Sequence, residues 1–312
     1  MIQTYSPEEL ERAAREEISD HLEEGKIVYF PRSPVPFPGR NDLDFLMGEL
    51  PRYLRRKNIS YHPEADRVVG LRGGEGIHRR ALQLLSAHSI QVQQALRRIV
   101  ERLTRGWIVA TSSFRPFQEQ GRELSAHASN ELVHVDAGAY GATHGNRILR
   151  FFMNAHPTED RLWISKGDFR DVYRRFGRQA EVAPPQGRER SLSAGAMNRL
   201  YSGLVGTVAR AGFPMAALAD TSPYDRLMRR FHNYMKDTAE FQASADVHRE
   251  FAFPPGSAWM VFTDMVTHAC VRGRYAFIDT FVVPLANCRR PECSPYHLLQ
   301  SSPESFGATG AK

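Results

Sequence analysis

His134-Val135-Asp136, answered far downstream by His268, constrains this chain more than any other feature. Two imidazoles and one carboxylate are the ligand set that holds Fe(II) on one side and leaves positions open on the other. Side chains two apart on an extended strand point the same way, so His134 and Asp136 can grip one metal together. Glu131-Leu132-Val133 leads into the pair as a strand, and Thr267-His268-Ala269-Cys270-Val271 lies in another short apolar run. The third ligand must come from a distant strand brought close by folding, which is the geometry of a jelly-roll barrel. A His-x-Asp triplet alone is a weak signal in a chain with 12 histidines. Its surroundings give it weight.

The chain has 312 residues, 42% hydrophobic and 24% charged, enough to bury a core without covalent staples. Its three cysteines (Cys270, Cys288 and Cys293) are too few for a disulfide framework and predict a reducing, cytoplasmic setting. Cys288, Cys293 and His297 lack the spacing and the fourth ligand of a zinc site and read as ordinary side chains. The first residues carry no apolar signal core, and no run approaches the roughly 20 apolar residues of a membrane span. A net charge of +6 suits an anionic partner: nucleic acid, anionic lipid or an acidic sugar. No aromatic-plus-basic motif that reads nucleic acid accompanies it.

Residues 1–26 read as a helix opened by Ser6-Pro7, and 26–30 as a strand. Residues 76–103 carry the longest helical stripe, with Leu82, Leu85, Val92, Leu96, Ile99 and Leu103 on one face, fit to pack on a sheet. Strand-like runs follow at 107–113, 132–136 and 147–154, and return at 258–262, 267–271 and 275–283. Residues 160–240 lean helical and polar. The order predicts an α+β chain whose core is a double-stranded β-helix (jelly-roll, cupin-like). Residues 1–105 form an N-terminal α+β region packed on the barrel, and 106–288 the core with a helical insertion at about 160–250. Residues 289–312 form a tail.

Several segments together resemble the Kdo hydroxylases. They are Lys57-Asn58-Ile59-Ser60-Tyr61 with Leu71-Arg72-Gly73, His134-Val135-Asp136, Arg147-Ile148-Leu149-Arg150 and Pro254-Pro255-Gly256-Ser257. Val261-Phe262-Thr263-Asp264, His268-Ala269 and Thr280-Phe281 belong with them. The resemblance runs from about Gly25 to Pro284, and its 57–61 segment is more specific than the ligand pattern, which many dioxygenases share. It implies an enzyme that uses Fe(II), 2-oxoglutarate and O2 to hydroxylate 3-deoxy-D-manno-oct-2-ulosonic acid (Kdo). The implied position is carbon 3 of the terminal Kdo in Gram-negative lipopolysaccharide, giving the talo-octulosonic acid Ko. The implied partner is a Kdo-bearing lipid A precursor, met by peripheral contact at the inner face of the inner membrane. The flanks of the ligand pair, 126–130 and 137–140, depart from the family pattern.

Such an enzyme needs a cation for the far carboxylate of 2-oxoglutarate. In many dioxygenases the strand after the last histidine supplies an arginine, but here that strand carries Asp279. The substitute should then come from the strand after the ligand pair, as in dioxygenases that use a lysine there. Arg150 and Arg147 are the candidates there, and Asn154 shares a face with Arg150. An arginine flanked by Phe151 in mid-strand is costly to bury unpaired, which favours Arg150, with an internal ion pair as the alternative. Arg115, Lys57, Tyr61 and His232 are the expected substrate contacts, against the plainer reading of solvated surface residues. Two other functions remain open at this level: an oxygenase of nucleic acid or protein, and a cupin-like binding protein without redox chemistry.

Overall fold

A computed structural model describes residues 1–55, 57–120, 129–138, 141–193, 221–245 and 247–306. Arg56, most of the 126–130 flank, Ala139-Tyr140, the 194–220 part of the insertion and the tail beyond 306 lie outside the described residues. Eleven strands are described. They are β1 (Ile2–Thr4), β2 (Ile27–Phe30), β3 (Ile59–His62), β4 (Arg67–Val69), β5 (Ile108–Arg115), β6 (Arg147–Asn154), β7 (Arg161–Ser165), β8 (Arg249–Phe253), β9 (Ala258–Phe262), β10 (Ala269–Arg272) and β11 (Ala276–Val283). The chain is thus a mixed α+β structure with one eight-stranded sheet, in the order β1-β2-β9-β6-β11-β5-β3-β4. A second sheet has the order β10-β7-β8.

Strand β6 shows how sequence places the two cores. Leu149, Phe151 and Met153 enter the main core with Leu85, Val92 and Leu96 of the Glu75–Ile99 helix. Phe152, on the opposite face, enters a second core with Trp163, Phe253, Trp259, Val261, Cys270 and Ile278. That alternation is the two-residue period of a strand covered on both faces. In the second core Phe152 stacks on Trp259 at 5.1 Å, and Trp163 meets Trp259 edge-on at 5.5 Å. Such aromatic pairs add about 0.5–1.5 kcal/mol each beyond the area they bury, so this cluster rigidly ties the small sheet to the large one.

Most of the expected strands are present, but four features differ. Residues 1–26 are not one helix: β1 pairs in parallel with β2, and two short helices follow, Pro7–Arg12 and Arg15–Glu23. The first begins at the capping box of Ser6 and Glu9. Strands β3 and β4 extend the large sheet from the N-terminal region. β7 lies inside the stretch that reads as helical, because its buried positions include polar Arg161 and Ser165 and hide the alternation. Finally, residues 132–136 form no regular strand. Only His134 bridges to His268. Among the described residues, no helix is long and apolar enough to cross a membrane.

Candidate metal centre

His134 and His268 face each other across that single antiparallel bridge. The amide of His268 donates to the His134 carbonyl at 2.8 Å, and the amide of His134 returns the bond at 3.1 Å. Asp136 is held in turn through its own amide, which donates to the Thr263 carbonyl at 2.8 Å. One donor atom from each of His134, Asp136 and His268 lies within 4.8 Å of the others, and all three side chains are buried. The imidazoles are tethered alike. Nδ1 of His134 donates to the Leu132 carbonyl at 2.7 Å and Nδ1 of His268 to the Val266 carbonyl at 3.0 Å. Fixing the proton on Nδ1 leaves Nε2 with its lone pair, the tautomer that a metal requires.

Electrostatics favour the same protonation states. Burial pulls the pKa of both imidazoles down, so they stay neutral. Burial alone would raise Asp136, but the Arg150 guanidinium outweighs it and holds the carboxyl below its usual range. Neutral histidines and an ionised carboxylate are the forms that bind a metal without first losing a proton. Asp136 Oδ2 is buried with no hydrogen-bond partner among the described residues, and Arg150 Nη2 approaches it at 3.0 Å as an ion pair. The donor set fits a divalent metal with open positions.

The segment that carries His134 and Asp136 is supported by groups from other elements. Gln242 accepts from the Val133 amide at 3.0 Å and donates to the Val133 carbonyl at 2.9 Å, standing in for a missing strand neighbour. Trp163 stacks on the His268 ring at 5.2 Å. From the Pro223–Asp237 helix, His232 donates through Nδ1 to the Val135 carbonyl at 2.7 Å and meets the His134 ring edge-on at 5.0 Å. One turn on, buried Lys236 donates to the Ser129 carbonyl at 2.8 Å. Burial pushes its pKa down to about 8 against the pull of Asp136. His232 is among the substrate contacts expected from the sequence, whereas nothing local in the sequence marks Lys236 as close to the candidate ligands.

The other expected site residues are distributed differently. Arg150 sits at the triad, opposite Thr280 of β11 and Val261 of β9, with its Nε buried and unpartnered among the described residues. Arg147 is corrected: it lies on the opposite face of β6, fully buried, with Nε donating to Asp264 Oδ2 at 2.6 Å. Asn154 is corrected as well. Its amide donates to the Glu159 and Phe253 carbonyls and accepts from the His156 amide, so its bonding capacity is used in shaping the end of β6. Tyr61 is opposite Ser112, which is opposite Asp279, itself opposite Phe151. Paired residues share a face, so Tyr61 points into the main core, where its hydroxyl donates to Asp66.

Arg115 lies at the Asn154 end of the sheet, not at the triad. With Arg161 it converges on buried Glu119, whose pKa falls to about 2 because the two guanidiniums overcome the desolvation. Lys57 is half-buried just before β3. Asp279 accepts from Ser112 and bonds His88 Nε2 at 3.0 Å, on the helix-covered face of the sheet. That position contributes no cation to the triad, in keeping with the sequence reading.

Comparison with known proteins bears on the whole chain. No curated protein matches it. A solved structure of the Kdo hydroxylase KdoO with cobalt(II), a non-heme Fe(II) alpha-ketoglutarate-dependent dioxygenase, is similar at 28% identity and a TM-score of 0.77. The alignment covers 96% of this chain and 94% of that one. A second KdoO structure, with alpha-ketoglutarate and Fe(III), is 27% identical with a TM-score of 0.77 over 100% and 99% of the two chains. The model of one protein family, 3-deoxy-D-manno-oct-2-ulosonic acid (Kdo) hydroxylase, matches residues 6–304. With a match of that extent around an intact ligand triad, the chain belongs to the Kdo hydroxylase family.

Proposed function

We propose that this enzyme hydroxylates carbon 3 of the terminal Kdo sugar on Kdo2-lipid A, giving Ko, and that His134, Asp136 and His268 hold its Fe(II). The observation that carries the reading is three buried donors within 4.8 Å of one another in a chain matched to the Kdo hydroxylases over nearly its whole length. When bound, Fe(II) with 2-oxoglutarate and O2 supplies the oxidising power for an unactivated carbon, with succinate and CO2 as coproducts. The chain's own task is to bind, orient and exclude water. Arg150 is the residue for the far carboxylate of 2-oxoglutarate, with Thr280 beside it on the next strand. His232, against His134, and Lys236, one turn on, are the candidates to meet the sugar and its carboxylate, a reading supported by their closeness to the triad.

The sheet order supports a double-stranded β-helix over 106–288: β9-β6-β11-β5 forms one wall, and β10-β7-β8 forms the other, with the His134 bridge at its edge. Residues 1–105 then extend the first wall and cover it with the Glu75–Ile99 helix. The net charge of +6 supports peripheral contact with an anionic lipid surface on the cytoplasmic side. Anaerobic addition of 2-oxoglutarate to the Fe(II)-loaded enzyme should give a weak visible charge-transfer band. Succinate release in air should then depend on a Kdo-terminated lipid. A band without Kdo-dependent succinate would keep the oxygenase chemistry and remove the substrate.

A further inference from the structure

Arg147 is the most completely buried cation of the large sheet, and its placement excludes it from the metal pocket. Its Nε donates to Asp264 Oδ2 at 2.6 Å, its guanidinium lies 4.1 Å over the Phe262 ring, and both residues are at most 1% exposed. Nη1 and Nη2 have no hydrogen-bond partner among the described residues. Burial opposes the charge, yet the Asp264 carboxylate carries the arginine's pKa above its ordinary value. A buried pair of this kind contributes little net stability, because desolvation offsets the attraction. Its use must therefore be sought in what it holds in place.

Asp264 belongs to the turn between β9 and His268. Its Oδ1 accepts the Ile148 amide at 3.2 Å, and the neighbouring Thr263 amide donates to the Ile148 carbonyl at 2.9 Å. Thr263 in turn accepts the Asp136 amide on its carbonyl at 2.8 Å. The far end of the same turn is anchored separately, by Thr267 to Gly167. One ligand is thus hung on the Thr263–Asp264 turn, and a second, His268, follows it directly. The turn is fastened to β6 next to Arg150.

We propose that the Arg147–Asp264 pair is a positioning element that locks this turn to β6 and so sets Asp136 relative to His268 and Arg150. The inference rests on the triad being the metal site. Partners that orient metal ligands typically change metal affinity by about 10- to 100-fold when removed. A merely structural pair would change only the melting temperature.

The test uses the full-length, metal-free enzyme titrated with Co(II), followed by visible absorption, beside thermal melting. In the double variant Arg147→Met, Asp264→Leu, apolar replacement of both charges should restore a melting temperature close to that of the unaltered enzyme. Co(II) should nevertheless bind at least about tenfold more weakly. Should the double variant fail to fold, Asp264→Asn keeps the size and the acceptor for Ile148 and is read below its own melting temperature, with the same weakening expected. Asp279→Asn, a buried carboxylate loss on the same face of the same sheet, should lower the melting temperature and leave Co(II) affinity unchanged. Unaltered Co(II) affinity in a folded Arg147/Asp264 variant, or equal weakening in Asp279→Asn, overturns the proposal. Retained Co(II) binding in His268→Ala would instead refute the triad itself.

Discussion

His134 and His268 are bonded to each other through both backbone amides, and their rings stand 4.8 Å apart between centroids. Two candidate ligands are therefore set by one reciprocal backbone contact, and each ring is then turned by a carbonyl two residues before it. Because the backbone makes the contact, removing one ring should leave the bridge intact. His134→Ala, Asp136→Ala and His268→Ala should each abolish turnover while melting within a few degrees of the unaltered protein. A variant that keeps full activity and iron content would remove its residue from the ligand set.

Arg150→Ala should raise the KM for 2-oxoglutarate steeply. Loss of a charge-assisted pair that leaves the other charge buried costs about 2–5 kcal/mol, or roughly 30- to several-thousand-fold in affinity. Arg150→Lys should fall between, since it keeps the charge and loses the planar fork. An unchanged KM in Arg150→Ala would assign the cosubstrate to another cation.

Trp163 ties the second core to the candidate ligand His268, stacking on its ring while meeting Phe152, Phe253 and Trp259 edge-on. Trp163→Ala should cost about 3–5 kcal/mol of stability and also weaken metal binding. Trp163→Phe should recover most of both. Chemical denaturation and Co(II) titration of the same samples measure the two effects, and a destabilised variant with full Co(II) affinity would separate the stack from the site.

Glu119 should set part of the acid stability. Its folded pKa, about 2, lies below the ordinary 4.5, so its contribution is fully present above 4.5 and disappears as pH falls towards 2. The shift corresponds to about 3 kcal/mol at neutral pH. Glu119→Gln should be less stable at pH 7 and show a flatter loss of stability between pH 4.5 and 2. Parallel unfolding curves for the two proteins across that window would contradict the assignment.

The large elements were legible because their residues obey one period each: β6 and β9 match the ranges read from their apolar runs, and the Glu75–Ile99 helix follows its stripe. The candidate ligands were legible by chemical type. What was hidden depends on contacts distant in sequence. β7 reads as polar because Arg161 is buried against Glu119 rather than exposed, and with that strand Trp163 escaped notice. The 132–136 segment looks like a strand, yet a glutamine side chain from another element supplies its pairing at Val133. Alternation along β6 separated Arg147 from Arg150 without saying which face meets the candidate triad. Asp136 is fastened to Thr263 and Arg147 to Asp264 across the sheet, which puts Arg150 on the side of Asp136.

The most direct test of the central claim is mass spectrometry of Kdo2-lipid A incubated with the enzyme, Fe(II), 2-oxoglutarate and ascorbate in air. The account predicts a gain of one oxygen on the outer Kdo, absent without 2-oxoglutarate and absent with His268→Ala. An unmodified lipid, beside robust 2-oxoglutarate-dependent oxidation of a nucleic acid or peptide, would contradict it.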